Sequence, residues 1–345
     1  MKKFIKIISV ILFIIVAAGF FIIENLTKTS SGKLDTYVAV KLHLNKILNP
    51  SSIDAKSIKE IREYLNAQST KWSNKPIPFS NIKNTTIKIN SERIPVRIYT
   101  PKNGNKLPIV IYSHGGFWVG GSIDNYDSIC RKLSQNTNAI VISVAYRLAP
   151  ENPFPAAVND IYNTLQWTYK NASSINGDEK YIALAGDSAG GNLSTAVSLM
   201  ARDKNGPPIT CEVLLYPSTN IFQLNSNSWS YFANDLNISK KDMEKYISLY
   251  VPKKKDRKSP YASPLLAKGF KKLPNTLIIT AEIDPLRDEG EAYGKKLKDA
   301  GINTQVTRYN GVPHGFISMS KITNKSEKAL NEISLYLQRE FQNHK

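Results

Sequence analysis

Gly186-Asp187-Ser188-Ala189-Gly190 is a G-x-S-x-G sequence, and Gly191 extends it. It follows an apolar run, Tyr181 to Ala185, that reads as a strand, and it precedes Leu193 to Met200, which reads as a helix. A strand, a sharp turn and a helix in this order lift a serine hydroxyl above a sheet, and the glycines let the chain turn and pack closely. The chemistry on offer is attack on an electrophilic carbon. A serine hydroxyl is too weak a nucleophile unaided, so a base must take its proton.

Four histidines are candidates for that base. A nucleophile on a parallel sheet of this kind is followed in the chain by an acid and then a histidine, which eliminates His43 and His114. His344 is penultimate, where chains fray. That leaves His314, in Gly311-Val312-Pro313-His314-Gly315-Phe316, a loop just past the last expected strand. The acid must orient the imidazole and stabilise its charge. Asp284 closes the strand-like run Leu277 to Ala281 and precedes Pro285, at the carboxyl edge where sites of such sheets lie. Its rivals are Glu282, nearer the body of the sheet, and Asp288, better suited to begin the next helix. Negative charge developing on a carbonyl oxygen needs fixed N–H donors. Ser113-His114-Gly115-Gly116-Phe117-Trp118 follows the strand-like Ile109 to Tyr112, so Gly115 and Gly116 are the expected donors, joined by Ala189. Phe117, Trp118 and Asp187 are expected to line the substrate pocket.

These groups need a scaffold that brings distant loops to one edge. After Pro108 the chain alternates short apolar runs (Ile109 to Tyr112, Ala139 to Ala145, Tyr181 to Ala185, Val213 to Tyr216, Leu277 to Ala281, and Thr304 to Tyr309) with helical segments near 126–135, 156–170, 189–202, 287–300 and 326–341. Strands without a polar face, separated by helices, predict an α/β fold with a mostly parallel sheet covered on both sides. Thr85 to Ile89 and Ile94 to Tyr99 alternate like two further strands around Asn90-Ser91-Glu92. Leu34 to about Trp72 has helical spacing, broken at Asn49-Pro50. Residues 218–272 are far too many for an ordinary crossover. They begin with Phe222, Trp229, Tyr231 and Phe232 and hold an amphipathic stretch from Met243 to Tyr250, and they are expected to form a cap with the N-terminal helices.

Taken together, His114-Gly115-Gly116, Tyr146-Arg147-Leu148-Ala149-Pro150-Glu151, Gly186 to Gly191, Asp284 to Gly290 and His314-Gly315-Phe316 resemble, in order, the hormone-sensitive-lipase branch of α/β-hydrolases, which includes bacterial carboxylesterases and membrane-anchored arylacetamide deacetylases. The resemblance implies a helical cap and a Ser188, Asp284, His314 triad. It also implies a mainly structural role for Tyr146 to Glu151 and hydrolysis of short- to medium-chain or aryl esters without metal or cofactor. The same machinery suits an amidase or deacetylase, and the same fold suits a non-catalytic binder. One departure is that the family's oxyanion loop usually carries a third glycine where this chain has Phe117. If the first two N–H groups suffice, Phe117 only narrows the pocket; if the third is needed, a side chain must adopt dihedrals that suit glycine.

The 345 residues include 46 Lys+Arg and 28 Asp+Glu, a formal charge of +18. An apolar content of 41% excludes a mainly disordered or fibrous chain. Only two cysteines, Cys130 and Cys211, exclude a disulfide scaffold and give no zinc pattern. Residues 7–23 are an uncharged apolar run behind Lys2, Lys3 and Lys6, long enough to span a bilayer with slight extension. Residues 1–26 are therefore expected to be an uncleaved membrane anchor, with 27–33 a linker, 34–80 the N-terminal cap helices and 81–345 the catalytic domain. The rival is a signal peptide cleaved near Val16-Ala17-Ala18-Gly19. The cationic end favours the cytoplasm, leaving the bulk extracytoplasmic. Because residues 1–26 hold three lysines and one glutamate, the rest keeps +16, which suits an anionic envelope or membrane surface. The basic run Lys253 to Lys258 lacks interleaved aromatics, so nucleic-acid binding is not expected. Oligomeric state is not legible.

Overall fold

The computed structural model describes residues 2–48, 57–89, 91–232 and 238–344. The break expected at Asn49-Pro50 and the first residue of the expected turn at Asn90 lie outside them. Ten helices and eight strands are described: α1 (Lys2–Thr27), α2 (Thr36–Leu48), α3 (Ile58–Lys71), β1 (Ile82–Ile89), β2 (Glu92–Tyr99), β3 (Leu107–Ser113), α4 (Asp127–Thr137), β4 (Ile140–Val144), α5 (Ala156–Asn171), β5 (Gly177–Asp187), α6 (Ala189–Asp203), β6 (Cys211–Leu215), α7 (Asn227–Phe232), α8 (Lys240–Tyr250), β7 (Asn275–Ile283), α9 (Arg287–Asp299), β8 (Thr304–Pro313) and α10 (Lys325–Asn343).

All eight strands form one sheet in the order β1-β2-β4-β3-β5-β6-β7-β8. β2 is antiparallel to β1 and to β4, while the pairs from β4 through to β8 are all parallel. The two-residue side-chain period divides β3 between layers. Ile109 and Ile111 face a core shared with Val158, Ile161 and Leu165 of α5 and Leu193 and Val197 of α6, whereas Val110 and Tyr112 face α4 and α10. This two-sided burial is why the strands read as unbroken apolar runs. Each fully buried branched side chain contributes about 1.5–3 kcal/mol. Both cysteines are buried free thiols.

Parallel strands put their carboxyl ends on one edge, and the chemistry-bearing loops leave from that edge. β3 leads to His114, β5 to Ser188, β7 to Asp284 and β8 to His314. The 218–272 segment contributes α7, α8 and two short 3₁₀ turns, and Trp229, Met243, Tyr246 and Tyr250 join the core on the α5/α6 side of the sheet. α8 starts at Ser239, whose Oγ accepts the Asp242 N–H at 2.9 Å. α3 starts with a capping box, in which Ser57 Oγ accepts from Glu60 N–H and Glu60 Oε2 from Ser57 N–H. α3 reaches the catalytic part through Arg62, which donates to the carbonyls of Val119 and Ala149 and to both Glu151 oxygens. α2 buries Val38, Ala39 and Leu42 against Phe232 and Ile283. Before α2, Asp35 N–H donates to the Gly311 carbonyl and Asp35 pairs with Lys325 at 2.6 Å. Phe4–Thr27, within which 18 consecutive residues have a mean hydropathy of 2.8, is, among the described residues, the one helix long and apolar enough to cross a membrane. Its apolar side chains are exposed from Phe4 to Ile23, Phe13 at 73%, while Thr27 at its end is buried.

Candidate active site

β5 ends at Asp187, and Ser188 turns the chain into α6 with φ 53° and ψ −117°. A serine is held in such a region only when its surroundings over-determine it, at a cost of about 1–3 kcal/mol. Here the Ser188 N–H donates to the Leu215 carbonyl at 2.9 Å, and its carbonyl accepts the Asn192 N–H at 3.0 Å. Gly190 is required by close approach, since a Cβ there would collide with the Ser113 carbonyl.

His314 Nε2 lies 2.9 Å from Ser188 Oγ, and its Nδ1 lies 2.8 Å from Asp284 Oδ2. Because a carboxylate can only accept, Nδ1 carries the proton and Nε2 is left to receive one from the serine hydroxyl. Asp284 is fully buried, and its other oxygen accepts the Leu286 N–H at 2.8 Å. The Tyr216 ring, 4.7 Å away centre to centre, packs against the imidazole. The rival acids are employed elsewhere. Glu282 accepts from Gly311 N–H, which steadies the histidine loop, and Asp288, in the first turn of α9, accepts from Ser228 N–H. The other histidines are also apart. His43 Nδ1 is bonded to the Ala39 carbonyl, His344 lies at the end of α10, and buried His114 stacks between Tyr126 and Tyr146. Burial lowers the His114 pKa to about 4, keeping that ring neutral.

Three expectations need correction. Gly115 is not an available donor, because its N–H is given to Asp187 Oδ1 at 2.9 Å. The next two residues, Gly116 (φ 128°) and Phe117 (φ 57°), are half-buried, and among the described residues no acceptor takes their N–H groups. Ala189 opens α6, where an N–H has no acceptor inside the helix. Asp187 does not line a pocket. It is buried, with Oδ1 accepting from Tyr112 Oη and Gly115 N–H and Oδ2 from Tyr126 Oη. Burial raises its pKa to about 6 against these three donors, which favour the carboxylate. Trp118 is fully buried too, its Nε1 donating to Asn192 Oδ1 and its ring stacked 4.7 Å from Tyr250.

Tyr146 to Glu151 clamps the same loop. Tyr146 Oη donates to the His114 carbonyl, Ala149 N–H to the Trp118 carbonyl, and Arg147 forks onto Asp160. Sequence reasoning missed Glu289, in the first turn of α9. Its carboxyl accepts from Thr219 N–H, Asn220 N–H and Trp229 Nε1, and so ties the start of the 218–272 segment to the Asp284 loop. A glutamate inside a helix carries no local sign of partners some 60–70 residues away.

A family model described as the alpha/beta hydrolase fold matches residues 110–318. An arylesterase of Saccharolobus solfataricus is 38% identical over 262 residues, covering 75% of this chain and 84% of that protein. A carboxylesterase of Mycobacterium tuberculosis is 37% identical over 240 residues, 68% of this chain and 75% of its own length. Among solved structures, the hyperthermophilic esterase from Pyrobaculum calidifontis superposes with a TM-score of 0.84 at 36% identity, covering 89% of this chain and 98% of that one.

Proposed function

The chain belongs to the α/β-hydrolase fold family, in its hormone-sensitive-lipase-like branch, and from that premise we propose that it is a serine carboxylesterase acting through an acyl-enzyme on short- to medium-chain or aryl esters. The observation that carries this reading is the continuous hydrogen-bonded line from Ser188 Oγ through His314 to Asp284. In this mechanism Ser188 Oγ attacks the ester carbonyl carbon while His314 Nε2 takes its proton. The N–H groups of Gly116, Phe117 and Ala189 hold the oxyanion, and Asp284 holds the imidazolium. His314 returns the proton to the leaving alkoxide oxygen, which departs as the alcohol. Water then attacks the acyl carbon, His314 takes its proton and passes it to Ser188, and the acid leaves. The test is turnover of p-nitrophenyl esters beside Ser188→Ala, with an amide series to expose an amidase instead.

We further infer that α1 anchors the enzyme in a membrane through Phe4–Thr27, with the catalytic part on the extracytoplasmic side. Support comes from the exposed apolar surface of α1, its lysine-rich start and the +16 charge beyond it. An anchored site meets esters that partition into lipid.

A further inference from the structure

Two consecutive side chains of the oxyanion loop stack on two consecutive turns of one helix in the 218–272 segment. Phe117 lies on Tyr246, with centroids 4.4 Å apart and planes 19° apart, and Trp118 lies on Tyr250 at 4.7 Å and 2°. Both loop residues have left-handed backbones, φ 57° and 60°. That conformation crowds the Cβ against the following carbonyl, so a residue other than glycine needs outside support to stay there. Trp118 has it from the core through full burial and the bond to Asn192. Phe117 is only half-buried, and the ring stacked on it belongs to α8.

The φ of residue 117 sets where its own N–H and that of its neighbour point. We propose that Tyr246 is a positioning residue for the oxyanion hole. By stacking on Phe117 it keeps that backbone left-handed, so the hole is completed by the 218–272 segment and not by the loop alone. The proposal rests on the esterase reading above. It separates two roles for an aromatic over a reaction site: a pocket wall changes how well an acyl chain binds, whereas a support for the donors changes the transition state and spares ground-state binding.

The experiment uses the full chain in detergent micelles with p-nitrophenyl acetate and p-nitrophenyl butyrate. Tyr246→Ala is expected to lower kcat about tenfold to a hundredfold on both esters, a fraction of what losing a whole donor costs, with KM for acetate changed less than about twofold. Affinity for a trifluoromethyl ketone should fall in parallel with kcat/KM. Tyr246→Phe keeps the ring and should restore kcat. Thermal midpoints identify any variant that has lost its fold, and a second comparison is independent of them. In a Phe117→Gly background residue 117 needs no support, so adding Tyr246→Ala there should cost less than about threefold. The proposal is overturned if Tyr246→Ala raises KM with chain length and leaves kcat alone, or if its cost is the same in the Phe117→Gly background. If the unmodified chain has no Ser188-dependent turnover, the esterase reading fails first and takes the positioning role with it.

Discussion

Asp187 Oδ1 accepts the Gly115 N–H at 2.9 Å, so the residue just before the proposed nucleophile also fixes the loop facing it. The turn that raises Ser188 and the loop proposed to supply oxyanion donors are thereby tied to each other, with Tyr112 and Tyr126 completing the carboxylate's shell. Register between nucleophile and donors matters because misplacement by about 1 Å can cost a hundredfold in rate.

Asp187→Asn should therefore lower kcat by about tenfold to a hundredfold while Ser188 and His314 stay in place. An amide cannot accept from three donors on two oxygens, and each donor left unpaired costs about 1–3 kcal/mol. Steady-state kinetics with one short ester, set beside the thermal midpoint, checks both parts.

The same variant carries a pH signature. The Asp187 pKa is raised by burial from 3.8 to about 6, so the folded chain holds a proton that the unfolded chain has released. Its contribution to stability is full below pH 4, is lost as pH rises through 6, and is flat above. Wild type should lose about 3 kcal/mol relative to Asp187→Asn between pH 4 and pH 7, measured by denaturant unfolding. Buried His114, lowered to about 4, acts in the opposite direction in both proteins, losing its stabilisation as pH falls from 6.5 toward 4, and it drops out of the comparison.

Gly116→Ala should abolish measurable turnover without unfolding the protein. Gly116 has φ 128°, and an added Cβ would strike the backbone of Gly120. Relief requires the loop to move, and its N–H moves with it. A drop in kcat of less than about tenfold would show that this N–H is not a donor.

Glu289→Ala removes the acceptor for two backbone N–H groups and for Trp229 Nε1 in a fully buried site. A loss of about 3 kcal/mol is expected by thermal or urea unfolding, more than the same change at exposed Glu63 would cost. Burial raises the Glu289 pKa to about 8, so its contribution falls as pH climbs from 4.5 through 8.

For the N-terminal helix, the expected result is recovery in the membrane pellet after an alkaline carbonate wash, with an intact mass that still includes residues 1–26. A soluble chain shortened near Ala18 would identify the segment as a cleaved signal.

The meeting of Ser188, Asp284 and His314 was legible in the sequence because chain order and the ends of apolar runs translate directly into one sheet edge. The expected strands recur near their expected positions for the same reason, with β1 starting three residues earlier at Ile82, β5 four earlier at Gly177 and β8 running on to Pro313. What did not translate was direction and burial. Gly115 and Gly116 look alike in a string of letters, and only the fold reveals that one N–H meets Asp187 while the next is left over. Asp187 and Trp118 are expected in a pocket because they neighbour candidate site residues, but Tyr112 and Tyr126, the partners of Asp187, lie 75 and 61 residues away. Phe117 looked like a liability in a glycine's place; its partner, Tyr246, lies in a segment whose sequence shows only an amphipathic helix.

The most direct test of the central claim is hydrolysis of p-nitrophenyl butyrate by the full chain in detergent beside Ser188→Ala, with intact-mass analysis after exposure to a p-nitrophenyl phosphonate. The mechanism predicts turnover within about 1–1,000 per second, a fall of at least about ten-thousandfold in Ser188→Ala, and one covalent phosphonyl adduct carried by Ser188. Turnover by Ser188→Ala at the wild-type rate, or an adduct that forms equally well without Ser188, would contradict it.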